Sequence, residues 1–324
     1  MTKIKAKTKS FQKLRPIALI GVLSLIVSSC VNNQSSETEK KTPLVKVKNL
    51  IPKFDQNTRI SSFKSTDGAF RITQIGNNAS GITWDPYLNQ YLILQNNSAF
   101  IYRFNKDFEF LGKLRKVGNF NNDTEGLTFI DGQSVMIATE ANTLHRIALN
   151  SQVFERGYYN ANLNLRLSGR SKVKNKGIES VAYRVASIDR KARFYAAIEG
   201  TARHSEAEMK VMYIDGNVQS NFMGDSLSYE HDLQVIEPFN AESVFAGVIT
   251  DIAGMTFDPT GETLIIVSQE SKKAIQVNPD TGEILSQLKL SGAPVYEGVT
   301  IGPDGELIFV SEKNWVQVYT NNKD

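Results

Sequence analysis

The chain reads as an all-β protein: a β-propeller of five blades, with six as the alternative, whose ring is closed by an N-terminal strand. Three observations carry this reading. One short phrase occurs five times, and each copy leads through a turn into an apolar strand. The copies stand 45, 54, 74 and 44 residues apart, counted between Gly81, Gly126, Ser180, Gly254 and Gly298, near the length of a four-stranded blade.

The phrase begins as Ala79-Ser80-Gly81-Ile82-Thr83-Trp84-Asp85-Pro86 and returns as Thr124-Glu125-Gly126-Leu127-Thr128-Phe129 and Ile178-Glu179-Ser180-Val181-Ala182-Tyr183. It recurs as Ala253-Gly254-Met255-Thr256-Phe257-Asp258-Pro259 and Glu297-Gly298-Val299-Thr300-Ile301-Gly302-Pro303. The turns that follow are rich in Asp, Pro, Asn and Gly, where proline fixes φ and glycine is expected to supply φ > 0. Apolar strands come next, at 91–94, 135–138, 194–198, 264–267 and 307–310. A second hairpin follows in most copies, for example 99–104 with 109–114, so two hairpins make one blade. The last copy supplies only three strands, whereas 70–75 precedes the first copy as an orphan strand. Adding it to the last blade closes the ring and removes an exposed edge. The long third interval holds a strand at 210–214 and then residues 224–248, either an elaborated loop or a degenerate sixth blade.

Ahead of the repeats, residues 1–15 carry six basic side chains and no acid, followed by an apolar run at 16–27 that ends Val27-Ser28-Ser29-Cys30. That run falls well short of the ~20 residues a spanning helix needs. The pattern is that of a lipoprotein export signal at 1–29, with Cys30, the only cysteine, acylated as the first mature residue. Residues 30–43 are polar enough to be a flexible tether, leaving 44–324 as the propeller domain. Without the six basic residues of the signal, the 37 basic side chains become 31 against 34 acidic ones, which argues against a nucleic-acid partner. The expected location is the cell envelope, anchored to a membrane through Cys30; Val31 rather than aspartate after the cysteine is the pattern expected of export onward to an outer membrane, where the cell has one.

The candidate site comes from two sets of equivalent positions. Just before the phrase glycine or serine stand Ser80, Glu125, Glu179, Ala253 and Glu297; at the end of each second strand stand Asn96, Glu140, Glu199, Gln269 and Glu312. Each pair is symmetric about a turn, so its members are expected to oppose each other across one hairpin. Because first strands line the propeller axis, all ten positions are expected around one channel mouth. Like charges directly opposed in a sheet, ~4.5–5.5 Å apart, are unfavourable and call for a shared proton, a basic partner or a cation. Calcium, which takes about 6–8 oxygen ligands in a flexible shell, is the economical guest. Asp123 and Asp251 are further candidate ligands, although isolated aspartates before strands more often form turns. Zinc is disfavoured because His145, His204 and His231 have no ligand spacing.

Other chemistry finds less support. No Gly-x-Ser-x-Gly motif occurs, and the cysteine belongs to the signal. A basic stretch from Arg166 to Arg193 reads as a solvated loop before it reads as a phosphate or lipid site. Trp84, Phe129, Tyr183 and Phe257 read as a packing layer between blades.

Phrase, turn and strand together resemble the SdiA-regulated family of bacterial exported proteins, propellers distantly similar to NHL-repeat and strictosidine-synthase-like proteins. The residues that carry the resemblance are Ser80 to Pro86, Asp123 to Leu127, Asn175 to Ser180, Asp251 to Met255, Ser268 to Ser271 and Tyr296 to Val299. The resemblance implies a five-bladed propeller with bound calcium, and some distant relatives are hydrolases. Ser180, where other copies have glycine, departs from the pattern and bears on the geometry of the third blade. The functional expectation is a lipid-anchored, calcium-binding module for an unknown protein or small-molecule ligand. Glu125, Glu179 and Glu297 lead as ligands, with Glu140, Glu199 and Glu312 in support. The alternatives are a metal-dependent phosphoester or ester hydrolase using the same site, and a metal-free scaffold.

Overall fold

The structure, a computed structural model, describes residues 57–321 apart from 67, 118–122, 131–133, 162, 168–176, 188–189, 201–207, 216–226 and 234. The expected signal, Cys30 and the tether lie outside the described residues. Two short strands, β1 (Lys64–Ser65) and β2 (Phe70–Arg71), precede the first blade, which comprises β3 (Ala79–Asp85), β4 (Gln90–Gln95), β5 (Phe100–Asn105) and β6 (Phe110–Lys116). Blade 2 holds β7 (Thr124–Ile130), β8 (Ser134–Thr139) and β9 (Thr143–Ala148); after α1 (Ser151–Arg156) and β10 (Tyr158–Tyr159) comes its fourth strand, β11 (Leu163–Leu167). Blade 3 is β12 (Ile178–Arg184), β13 (Arg193–Ile198) and β14 (Lys210–Asp215), followed by β15 (Leu227–Leu233) and α2 (Ala241–Phe245). Blade 4 is β16 (Gly254–Asp258), β17 (Thr263–Ser268), β18 (Lys273–Val277) and β19 (Ile284–Lys289); blade 5 is β20 (Tyr296–Ile301), β21 (Leu307–Ser311) and β22 (Trp315–Thr320).

The described residues thus form five sheets, one for each copy of the phrase, and the protein is a five-bladed propeller. Among the described residues of 224–248 no sixth blade forms. Instead β15 pairs in parallel with β11 on the edge of blade 2, and β10 pairs in parallel with β6 on the edge of blade 1. Each of these strands runs back to cover the outer edge of the preceding blade. An edge left open presents unpaired backbone groups to other chains, so the long connections have a structural use that periodicity does not reveal.

The ring closes in blade 5 as expected, though not through one continuous strand. Lys64 and Ser65 pair with Thr320 and Tyr319, whereas Phe70 and Arg71 pair with Val316 and Trp315. Residues beyond Arg71 leave the ladder, and Ile72 N donates instead to Asn314 O at 2.9 Å.

Five apolar clusters fill the seams between successive blades. The phrase aromatics enter them as expected: Trp84 lies at the seam of blades 5 and 1, Tyr183 at 2 and 3, and Phe257 at 3 and 4. Trp84 meets Tyr91 at 4.6 Å between ring centroids, and Phe257 stacks on Tyr195 at 5.9 Å. In the blade 4 turn, positive φ is taken by Glu262 at 53° rather than by Gly261. Asp258 organises that turn by accepting bonds from Thr260 N at 2.9 Å and Gly261 N at 3.0 Å, and Asp85 does the same for Tyr87 N and Leu88 N.

Seam packing near the axis depends on small residues. A Cβ on Gly126 would lie 2.7 Å from Val181 N and 2.8 Å from Ser180 Cα, backbone that has no side-chain freedom with which to yield. Ser180 itself is 3% exposed, and its blade keeps the same hairpin pairing, so the serine does not disturb blade 3. Gly126→Ala is expected to lower stability by about 1–3 kcal/mol, read as a lower urea midpoint with an unchanged m-value. An unchanged midpoint would mean that the inner strands are looser than described.

Candidate metal centre

Nine of the ten positions drawn from the hairpins line one cavity of about 210 Å³ at an end of the central channel; Ala253 is the exception. Six of the nine are glutamates, and among the described residues the lining contains no lysine or arginine.

The way they meet differs from the expected opposition within each hairpin. In blades 1, 2, 3 and 5 the pairing of the first two strands slips at the phrase, between Ala79 and Gly81, Thr124 and Leu127, Ile178 and Ser180, and Tyr296 and Gly298. Ser80, Glu125, Glu179 and Glu297 therefore sit in β-bulges, which leave a residue unpaired and re-aim its side chain. Blade 4 has no slip: Gly254 pairs with Val267, and Ala253 N donates to Val267 O.

The close partner of each bulge residue comes from the blade before it. Asn96 Nδ2 of blade 1 donates to Glu125 Oε1 of blade 2 at 2.5 Å, and Gln269 Nε2 of blade 4 donates to Glu297 Oε1 of blade 5 at 2.8 Å. In the corresponding place between blades 2 and 3, a carboxylate, Glu140, meets Glu179. Ligand oxygens of Glu125, Glu140 and Glu179 lie within 4.8 Å of one another. Glu179 is 9% exposed, and its buried Oε1 has no hydrogen-bond partner among the described residues.

Local backbone makes this junction possible. The chain enters β12 pressed against blade 2: a Cβ on Gly177 would fall on the backbone carbonyl of Glu140. Only glycine allows that approach, and it brings Glu179 beside Glu140.

Crowding shows in the acidities. Burial, followed by the charges of Glu140, Glu297 and Asp123, pushes Glu125 up to about 9. Burial and the hydrogen bond with Asp123 raise Glu140 to about 7. Glu179 and Glu297 are held well above the ordinary carboxylate range, chiefly by burial, with neighbouring glutamate charges adding to it.

The remaining candidates divide. Asp123 touches the cluster through Glu140, whose backbone N donates to Asp123 O at 3.1 Å. Asp251 is fully buried away from the cavity lining and accepts bonds from Gln269 N at 3.0 Å and Glu270 N at 3.1 Å, a strand-end role that presents Gln269 to Glu297. Glu199, Glu297 and Glu312 line the cavity outside the close triad. His145 is buried in β9 with Nε2 2.8 Å from Thr143 Oγ1. Of the basic stretch, Arg193 pairs with Asp215 and Asp280, Arg190 pairs with Glu262, and Arg184 is buried. Residues 170–176 and His204 lie outside the described residues, as do the side chains of Arg166 and His231.

Sequence reasoning missed the bulges and the amide donors. Their signal was the phrase itself, where a polar residue interrupts an otherwise apolar strand and the preceding blade supplies either an amide or an acid.

The fold and this cavity together define a five-bladed propeller with an acidic channel mouth. The chain belongs to the SdiA-regulated family, which matches residues 56–320. Among solved structures it is similar to the glutaminyl cyclase of Myxococcus xanthus (11% identity, 78% of this chain and 95% of the other, TM-score 0.46). It is also similar to a luciferin-regenerating enzyme (12%, 80% and 96%, TM-score 0.45) and to the WD40 β-propeller domain of Doa1 (12%, 76% and 79%, TM-score 0.40). At this level of similarity they carry no statement about activity.

A carboxyl whose acidity is weakened on folding stabilises the fold while it is protonated. That contribution is complete below the unfolded value of 4.5 and is lost as pH rises towards about 9 for Glu125. Chelated protein should therefore melt at progressively lower temperature between about pH 5 and pH 9, and Glu125→Gln should flatten the decline. A melting temperature that rises across this window would contradict the protonation described.

Proposed function

We propose that the acidic mouth binds calcium and that the protein is a lipid-anchored binding or signalling module of the cell envelope. The observation that carries the metal assignment is Glu179 Oε1, buried without a donor in a cluster of carboxylate oxygens. Two oxygens bound to one calcium at ~2.3–2.6 Å can be no more than about 5 Å apart, a limit that the triad respects. All its donors are oxygen, which suits a hard cation rather than zinc. Glu125, Glu140 and Glu179 would hold the ion, with Asp123 beside them. Glu199, Glu297 and Glu312 add negative potential at the mouth and draw the ion in.

What the ion supplies is charge neutralisation across the seam of blades 2 and 3. Two other seams already have it in milder form, from Asn96 and Gln269. Bound ion therefore stiffens the mouth, and a ligand arriving there meets a fixed surface. Anchoring rests on the signal pattern ending at Cys30.

Calcium at about 100 times Kd should add roughly 2.7 kcal/mol to stability, a rise in melting temperature on the order of 5 °C. Glu140→Gln recreates at this seam the amide-to-carboxylate bond found at the other two. The variant should melt higher than wild type in chelator at pH 8 and gain little from calcium. Equal calcium responses in the two proteins would refute the assignment. Separately, Cys30→Ser should move the protein from the membrane fraction to the soluble fraction of its cells; unchanged partitioning would remove the lipid anchor without touching the metal.

A further inference from the structure

The inner strands that carry the carboxylates at one end build a second cavity at the other. Three to four residues further along each phrase, about 10–13 Å away along the strand, they enclose a cup of about 130 Å³. Between the two lies a waist of about 10 Å³ walled by the phrase glycines. The ends are separate sites.

We infer that this second cup binds the ring of a neutral sugar. Among the described residues its lining has no charged side chain. Four threonines, Thr83, Thr128, Thr256 and Thr300, contribute hydroxyls, and Trp84, Phe129, Tyr183 and Phe257 contribute aromatic surface. Thr83 Oγ1 is engaged, accepting a bond from Phe129 N at 2.9 Å. The hydroxyls of Thr128, Thr256 and Thr300 make no hydrogen bond to the protein among the described residues, and these three side chains line the cup. Around the same end the chain exposes apolar side chains: Tyr87, 39% exposed with its ring 5.7 Å from Phe129, then Leu88 and Val185.

Chemistry narrows the occupant. A charged ligand would find no counter-charge in the lining. A hydrocarbon would strip water from three hydroxyls and return no hydrogen bond, at a cost for each of them. A ring with apolar faces and a hydroxylated edge satisfies both kinds of wall, since aromatic surface takes the face and the threonines take the edge. At about 130 Å³ the cup is smaller than the ~300–1,000 Å³ of pockets for drug-sized ligands and takes one ring rather than a chain.

Trp84 lies in the cup and only one other tryptophan, Trp315, exists, so a Trp315→Phe background makes Trp84 the sole indole reporter. Methyl glucoside and N-acetylglucosamine are titrated against its emission, with cyclohexanol and benzoate as counter-probes. The expected result is a saturable change with at least one sugar. Binding should weaken about tenfold in each of Thr128→Val, Thr256→Val and Thr300→Val, and the matching Thr→Ser variants should restore it. Glu140→Gln should leave it unchanged, because that residue belongs to the other mouth. The inference is overturned if neither sugar saturates, if all folded valine variants bind as wild type, or if cyclohexanol or benzoate binds as tightly. Loss of binding in Glu140→Gln would likewise overturn it by moving the sugar to the acidic end.

Discussion

Backbone meets backbone at the centre of this molecule. At Gly81, Gly126, Gly254 and Gly298 an added methyl would collide with main-chain atoms of the neighbouring blade, at 2.7, 2.7, 2.5 and 2.8 Å. Such an approach fixes how near each inner strand comes to the axis, and hence how wide the channel is on either side. Apolar bulk, excluded from the waist, goes outward into the five seams, where aromatic and branched side chains fill the wedge between diverging sheets. The glycines do not decorate the repeat; they set the radius at which every other side chain must fit.

At that radius, side chains at the bulges cannot avoid those ending the second strand of the preceding blade. The relation repeats, but its chemistry does not. Asn96 with Glu125 and Gln269 with Glu297 are amide-to-carboxyl hydrogen bonds, each giving one acid oxygen a donor. By the same relation the partners of Glu199 and Glu312 are Ala253 and Ser80, which bring no charge. Glu140 with Glu179 is the one junction of this kind where acid faces acid. Six glutamates around a mouth do not by themselves call for an ion; the proposal of one rests on this single junction.

Much of this was legible beforehand because a repeat ties local sequence to global geometry. Phrase spacing gave the blade count, turn residues gave the hairpins, and symmetry about each turn located nine residues of one cavity. Pairing failed because a bulge of one residue is invisible to a symmetry argument, which assumes an unbroken ladder. Asp251 falls outside the cavity lining for a related reason: an aspartate three residues before a glycine can either reach the axis or cap a strand end, and only the register decides. The parallel strands β10 and β15 could not be read at all, since their pairing depends on where a long connection crosses the surface rather than on any period. The threonines of the second cup were visible in four of five phrases, yet a small polar residue in an inner strand has no signature until the cavity beside it is seen.

A closed ring of near-identical blades lets each end of the channel vary on its own. A substitution at the bulge changes the acidic mouth, whereas one three or four residues further along the strand changes the opposite cup; the narrow waist lies between them. Blade 3 illustrates the independence. It carries Glu179 at the acidic end, and at the other end it has Ala182 where the remaining blades have threonine, with Ala182 fully buried in the seam of blades 3 and 4. The blade that brings Glu179 against Glu140 is thus the one that contributes no hydroxyl to the cup. Departures from the repeat, rather than the repeat itself, are where the two ends acquire their different chemistry.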